Sequence, residues 1–252
     1  MSELEPEQIT IWGLHPVEEF LKHSPNSISA IFVIPSFGRK KPQKKLLNLA
    51  QKNNVPIKTE PNFTKIGVVA GAVHQGIAAQ VKPIWMQTAD NLMKAISQGG
   101  LFVACDQVTD PQNLGAIIRA CAAFGVKSVI LPQRSSAKIT GTVVKASAGT
   151  IIHIKVCIVQ NLVKTIAKLQ QNKVAVIGLS GDSSKLLWDY NFPTPALLVA
   201  GAEGKGLRFL VKKSCDTLLR IPCAPEVESL NVSAALSVAL YEAVRQAAFI
   251  TE

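Results

Sequence analysis

The chain has 252 residues, of which 48% are hydrophobic and 17% charged, so it can form one or two folded domains and does not resemble a disordered chain. Lysine and arginine number 27 against 17 acidic residues, and the net charge of +10 favours an anionic partner such as RNA or DNA. The acidic start at 1–8 lacks the apolar segment of a secretory signal, and no uncharged apolar run reaches the roughly 18 residues of a membrane span, so we expect no membrane partner.

The first half alternates short apolar strands with amphipathic helices. After a loose tail at 1–8, we predict strands at 9–13, 28–34, 55–58 and 77–81, and helices that begin at His15-Pro16, at Pro42 and near Phe63. This pattern predicts a small α/β domain over 9–82. The basic run at 39–45 is either a solvated loop or an arm that contacts phosphates.

Residues 83–90 contain Pro83 and show no clear period, so we predict a linker there and a second domain over 91–252. This domain begins with a helix at 91–97, a strand at 101–105, a helix capped by Asn113 and a strand at 128–131. Such a βαβ unit predicts a parallel sheet. We expect a helix at 140–146, a strand at 151–157, a helix at 161–171 and a strand at 174–179 to follow, and a C-terminal helix that ends near Phe249.

The stretch 197–233 holds the most informative pattern. A buried strand ends at Ala200 and is followed by a turn with Gly201, Glu203, Gly204 and Gly206, then by a helix and a second strand at 217–221. Glycines between a strand and a helix allow backbone N–H groups to surround a small ligand, although an ordinary tight turn explains them equally well. The spacing matches neither a dinucleotide fingerprint nor a P-loop, which disfavours a nicotinamide oxidoreductase.

The five cysteines are widely spaced and odd in number, as expected for reduced thiols of a cytosolic protein. No cluster of histidine and cysteine has the spacing of zinc ligands, so the sequence predicts no metal site.

Three segments of the second half carry a family resemblance. The first contains Asp106, Asp110-Pro111, Asn113, Gly115-Ala116, Arg119-Ala120 and Phe124-Gly125; the second is Gly201-Ala202-Glu203-Gly204 with Gly206-Leu207; the third contains Ile221-Pro222, Ser229-Leu230-Asn231-Val232-Ser233 and Leu240-Tyr241-Glu242. Together they resemble the SpoU (TrmH-like) branch of the SPOUT superfamily of RNA methyltransferases. In the first half, 13–17 and 74–77 resemble the N-terminal domain of its RlmB subgroup.

The resemblance implies a trefoil-knotted, parallel-sheet methyltransferase domain of the α/β class, preceded by a small α/β RNA-binding domain like those of ribosomal proteins. It implies S-adenosyl-L-methionine as cofactor, methyl transfer to a ribose 2′-hydroxyl, and a homodimer with its active site at the subunit interface. The residues that match the family's polar set are Asn113, Arg119, Glu203, Ser229 and Asn231. Those that match its cofactor-binding positions are Ala200, Gly201, Ile221, Pro222, Leu230 and Asn231.

The expected substrate is a guanosine of 23S-type large-subunit rRNA, and the expected location is the cytoplasm or an organelle with bacterial-type ribosomes. A tRNA or other-site rRNA ribose methyltransferase is the alternative within the class, and a non-catalytic RNA-binding or ribosome-assembly protein is the alternative outside it. Two departures from the subgroup, Cys223 in place of methionine and the acidic loop 225–228, leave the target nucleotide open.

Overall fold

The computed structural model describes residues 8–224, 226–227 and 229–247, which form two compact units. One unit contains 8–85 and Ile139–His153; the other contains Met86–Lys138 and the chain from Ile154 onward. The tail predicted at 1–8 lies outside the described residues except for Gln8, and so does the predicted end of the last helix near 249.

The helices are α1 (Leu14–His23), α2 (Lys41–Lys52), α3 (Ala89–Ile96), α4 (Pro111–Ala123), α5 (Gly141–Ala146), α6 (Leu162–Gln171), α7 (Phe209–Ser214) and α8 (Val232–Ala247). The strands are β1 (Ile9–Trp12), β2 (Ile28–Val33), β3 (Ile57–Thr59), β4 (Ile77–Val81), β5 (Met86–Gln87), β6 (Leu101–Cys105), β7 (Ser128–Pro132), β8 (Lys155–Val159), β9 (Ala175–Leu179), β10 (Ala196–Ala200) and β11 (Thr217–Leu219).

The first unit is built on a four-stranded sheet in the order β1-β4-β2-β3. The strand β4 is antiparallel to both β1 and β2, and β3 is parallel to β2. The apolar face of α1 is buried through Val17, Phe20 and Leu21. The helix predicted near Phe63 is a single 3-10 turn, Phe63–Ile66, because Gly67 adopts a left-handed conformation at φ 89° and ends it.

The segment Ile139–His153 follows β7 in sequence but belongs to the first unit. Close approach at Gly141 allows α5 to pack there, since a Cβ on this residue would lie 2.1 Å from the carbonyl oxygen of Thr10. The strand predicted at 151–157 is wrong in its first part, because Thr150–His153 forms a 3-10 turn and β8 begins only at Lys155.

The second unit is built on a seven-stranded sheet in the order β11-β9-β10-β6-β7-β8-β5, and every pairing is parallel. This confirms the predicted parallel sheet. The predicted linker contains β5, which extends the sheet by pairing Met86 with Val156. The trefoil knot that the resemblance implies stays a prediction.

The direction in which strands are added to the sheet changes at β6. The strands β7 and β8 lie on one side of β6, whereas β10, β9 and β11 lie on its other side. In open α/β sheets, ligands bind at such a switch point, outside the carboxyl ends of the strands. The carboxyl ends of β11, β9, β10 and β6 therefore define the edge where a site is expected. No helix among the described residues is long and apolar enough to cross a membrane.

Candidate active site

A cleft of about 590 Å³ opens at the carboxyl ends of β9, β10 and β11. Its volume lies within the range of roughly 300–1,000 Å³ that small-molecule sites occupy. The described residues that line it are in the ranges 179–182, 200–207, 219–221, 223–224 and 229–230, together with Lys212, Val227, Val232 and Ala235. The glycine-rich loop predicted to surround a ligand thus forms one side of the cleft.

This loop folds back on itself as a tight hairpin. Ala202 and Gly206 donate their backbone N–H groups to each other's carbonyl oxygens, over 3.1 and 2.8 Å. A Cβ at position 201 would lie 2.1 Å from the carbonyl carbon of Gly206, so only glycine fits there. Gly204 and Gly206 have φ angles of 70° and 64°, which other residues rarely adopt. The glycines therefore make a tight turn, and this turn lines a cleft. That its N–H groups surround a bound ligand stays a prediction.

A buried carboxylate holds the end of the glycine loop against β6. Asp106 directly follows β6 and is fully buried. It accepts hydrogen bonds from the Arg208 backbone N–H at 2.9 Å and from Arg208 Nε at 2.8 Å, and the second guanidinium nitrogen lies 2.6 Å from the same carboxylate. Charge-assisted bonds of this kind are stronger than neutral ones, so the pair fixes the position at which the loop ends.

Three of the predicted polar residues meet beside the cleft. The Asn231 side-chain N–H₂ group donates to Asn113 Oδ1 at 2.9 Å and to Glu203 Oε1. Its oxygen accepts the backbone N–H groups of Ser233 and Ala234 at 2.8 and 3.4 Å. Asn231 therefore caps α8 and also links the glycine loop to the first turn of α4.

The predicted cap of α4 is wrong. Asp110 caps this helix by accepting the backbone N–H groups of Gln112 and Asn113 at 3.1 and 3.2 Å, since Pro111 occupies the first turn. The helix thus begins three residues earlier than expected, and the Asn113 side chain is available to accept a hydrogen bond from Asn231.

Arg119 lies apart from these three residues. It is exposed on α4, does not line the cleft, and makes no hydrogen bond or ion pair with any residue that the structure describes. Ser229 is exposed and lines the cleft. Among the predicted cofactor-binding residues, Ala200, Gly201, Ile221 and Leu230 line the cleft, whereas Pro222 and Asn231 do not.

A polar group at the end of β9, which was not predicted from the sequence, also lines the cleft. Ser180 and Asp182 follow β9 and line the cleft together with Lys212 of α7. Hydrogen bonds from Lys212 and then from Ser180 lower the pKa of Asp182 to about 2, so this carboxylate is charged at neutral pH. A glycine and polar residues follow β9 as they follow β10, and this shared pattern was the available signal.

Two family models match the chain: the SpoU rRNA methylase family over residues 100–241, and the RNA 2′-O ribose methyltransferase substrate-binding family over residues 10–85. The 23S rRNA (guanosine-2′-O-)-methyltransferase RlmB of Pseudomonas putida is 38% identical over 250 residues, which cover 98% of each chain. The protein of the same name from Escherichia coli is 37% identical over 94% of this chain and 98% of its own.

The fold is also found in solved structures. The SpoU methyltransferase AviRb from Streptomyces viridochromogenes, crystallised in complex with the cofactor AdoMet, superposes with a TM-score of 0.76 at 22% identity, over 96% of this chain and 91% of its own. At that identity the likeness supports the fold alone. The family model over the second half and the relatives over nearly the full length together show that this chain belongs to the SpoU rRNA methylase family of RNA 2′-O-ribose methyltransferases.

Proposed function

We propose that this protein transfers the methyl group of S-adenosyl-L-methionine to the ribose 2′-hydroxyl of a guanosine in 23S-type rRNA. The observation that carries the proposal is the contact of Asn231 with both Asn113 and Glu203, which gathers polar groups from three distant segments at the edge of a ligand-sized cleft. Relatives that cover nearly the full chain bear the name of this activity.

The cleft suits the proposed cofactor. Ile221 and Leu230 offer apolar walls to an adenine ring, and the glycine loop brings backbone N–H and carbonyl groups close to any bound molecule. Asp182 offers a negative charge to the cationic parts of the cofactor. The bound cofactor supplies an electrophilic methyl group.

The remaining chemistry falls to the protein and the RNA. A ribose hydroxyl is a poor nucleophile until its proton is removed or its developing charge is stabilised. We assign proton acceptance to Glu203, because Asn231 fixes one of its oxygens and the other makes no hydrogen bond with a described residue. Arginine stays protonated in proteins, so we assign Arg119 the role of clamping a phosphate and stabilising negative charge.

Two variants separate this assignment from one in which Arg119 is the base. We expect Glu203→Gln to abolish turnover and Arg119→Lys to retain a measurable fraction of it, since a lysine still offers a positive charge. Rates under single-turnover conditions would be compared at saturating cofactor. Near-full turnover in Glu203→Gln together with complete loss in Arg119→Lys would refute the assignment.

We also propose that the protein acts as a homodimer through the face formed by α4 and α8. Tyr241 and Val238 on α8 are 58% and 43% exposed, although large apolar side chains on a long helix are usually covered. Arg119 is exposed on α4, which packs against α8, so its guanidinium is accessible to a group from a second subunit. Light scattering tests this: a fully active monomer would refute it.

The first unit offers a surface for RNA. The basic side chains at 39–45 are exposed around the start of α2, and the model that matches this unit describes substrate binding. Neutralising phosphates with lysine and arginine releases counterions, so we expect RNA affinity to fall steeply with salt. With an RNA substrate of this kind, we expect the protein to act in the cytoplasm, or in an organelle with bacterial-type ribosomes.

The decisive experiment is a methylation assay with labelled S-adenosylmethionine on unmodified 23S rRNA and on bulk tRNA. Modified positions would be mapped by reverse transcription at low nucleotide concentration. We expect one 2′-O-methyl stop at a guanosine of 23S rRNA. Label in tRNA alone would move the function to a tRNA methyltransferase, and absence of cofactor binding would favour a non-catalytic RNA-binding protein.

A further inference from the structure

The first unit contains a cluster of metal-ligating side chains that lies outside the proposed active site. Glu19 and His23 are one turn apart on α1, and His153 ends the 3-10 turn that follows α5. Glu19 Oε2 lies 3.0 Å from His153 Nε2 and 3.6 Å from His23 Nε2. One potential ligand atom from each residue lies within 4.8 Å of the other two.

These separations suit a zinc ion. Ligands about 2.1 Å from a tetrahedral zinc lie about 3.4 Å from one another, so small rotations of the side chains would complete the geometry. Two imidazole nitrogens with one carboxylate oxygen form a known three-ligand zinc set, whereas magnesium and calcium prefer oxygen ligands alone. The two imidazole rings meet edge to face, with centroids 4.6 Å apart.

The cluster is open enough to exchange metal with solvent. The exposed fractions of the side chains are 26% for Glu19, 39% for His153 and 49% for His23, which leaves room for water as a fourth ligand. The ammonium of Lys22 forms an ion pair with Glu18, 2.8 Å away, and its interaction with Glu19 is coulombic. The carboxylate of Glu19 therefore stays available to a metal ion.

The backbone that carries the ligands is held in place without the metal. A Cβ on Gly149 would lie 2.8 Å from the Cα of Pro16, so the 3-10 turn rests directly on the start of α1. The ligands are thus brought together by packing, and binding need not order a mobile segment first. Sequence spacing missed the cluster because Glu19 and His153 are 134 positions apart.

We infer that Glu19, His23 and His153 bind one zinc ion, which fastens the segment Ile139–His153 to α1. A clip between residues so distant in sequence restricts the unfolded chain, and a ligand that binds only the folded state stabilises it. The role assigned to the ion is to hold these two segments together, and it is independent of methyl transfer.

Zinc titrated into chelator-stripped, full-length protein tests the inference by calorimetry, with thermal unfolding followed in parallel. We expect one zinc per chain and an unfolding midpoint that rises by at least about 3 °C at saturating zinc. His153→Ala and His23→Ala should each abolish both effects. Since the chain has four histidines, His15→Ala, at an exposed position on the same helix, is the matched control and should retain both.

Two further variants keep the result interpretable. Glu19→Gln should weaken zinc binding at least tenfold while preserving a side chain of nearly the same size, and circular dichroism would confirm that it folds. Cys223→Ser removes the exposed thiol and should leave binding unchanged. Absence of zinc binding, binding that persists in His153→Ala, or binding that is lost in Cys223→Ser would each overturn the inference.

Discussion

Replacement of Asp106 by asparagine tests how firmly the glycine loop is held. Three N–H groups of Arg208 point at the carboxylate, which is fully buried. An asparagine offers one acceptor oxygen and turns an N–H₂ group toward the remaining donors, so at least one bond is lost and one donor is left facing another. Unpaired buried groups cost about 1–3 kcal/mol.

We expect Asp106→Asn to lower the free energy of unfolding by about 2 kcal/mol. The loss is not larger because the Arg208 side chain is 43% exposed, so water can accept some of the hydrogen bonds that the carboxylate accepted. The loop would then be free to shift, and we expect the affinity for S-adenosylmethionine to fall about tenfold, which corresponds to about 1.4 kcal/mol. Urea unfolding and isothermal titration calorimetry measure the two effects separately.

The matched control is Asp90→Asn, the same chemical change at an exposed position in the first turn of α3. We expect it to change the free energy of unfolding by less than about 0.5 kcal/mol. Suppose that Asp106→Asn unfolded like the unaltered protein and bound cofactor within twofold of it. The Asp106–Arg208 pair would then not position the loop, and the reasoning would be refuted.

Gly201→Ala is expected to abolish cofactor binding in calorimetry, because its Cβ would lie 2.1 Å from the Gly206 backbone; Gly181→Ala, in the same cleft with no atom within 4 Å of a new Cβ, is expected to bind normally. Lys212→Met is expected to raise the pKa of Asp182 from about 2 toward its ordinary value, as measured by carbon-13 NMR. In the unaltered protein the ion pair between Asp182 and Lys212 is fully formed above about pH 4, and it is lost as the carboxylate is protonated when the pH falls toward 2. An unchanged pKa of Asp182 in the variant would show that Lys212 does not lower it. Tyr241→Asp is expected to convert the proposed dimer into a monomer in light scattering, and a dimer that persists would exclude α8 from the interface.

Much of the second unit could be predicted from local sequence. The strand β6 has the predicted bounds, and α6 begins one residue after its predicted start, because Asn161 caps it. Each of the two elements combines an apolar pattern with a clear end signal. The site was predictable where polar residues follow strands, as at Glu203, since parallel strands bring their carboxyl ends to one edge.

Other features depend on contacts between distant segments and left no local signal. The strand β5 is too short to show a period, and it exists because β8 offers a free edge to pair with. The bond between Asp106 and Arg208 joins residues 102 positions apart. Gly141 can pack against Thr10 because glycine has no side chain. The spacing of apolar residues along the sequence carries no information about such a contact.

The path of the chain has a consequence for dissection of the protein. The chain leaves the first unit after Trp85, returns to it at Ile139 and leaves again after His153. A protease that cuts once between the two halves would therefore produce two fragments that remain associated, since α5 keeps its contacts with β1 after the peptide bond is broken. Separate expression of residues 91–252 would leave α5 without the surface that it covers, so division of the gene at the apparent boundary would not yield an intact second half.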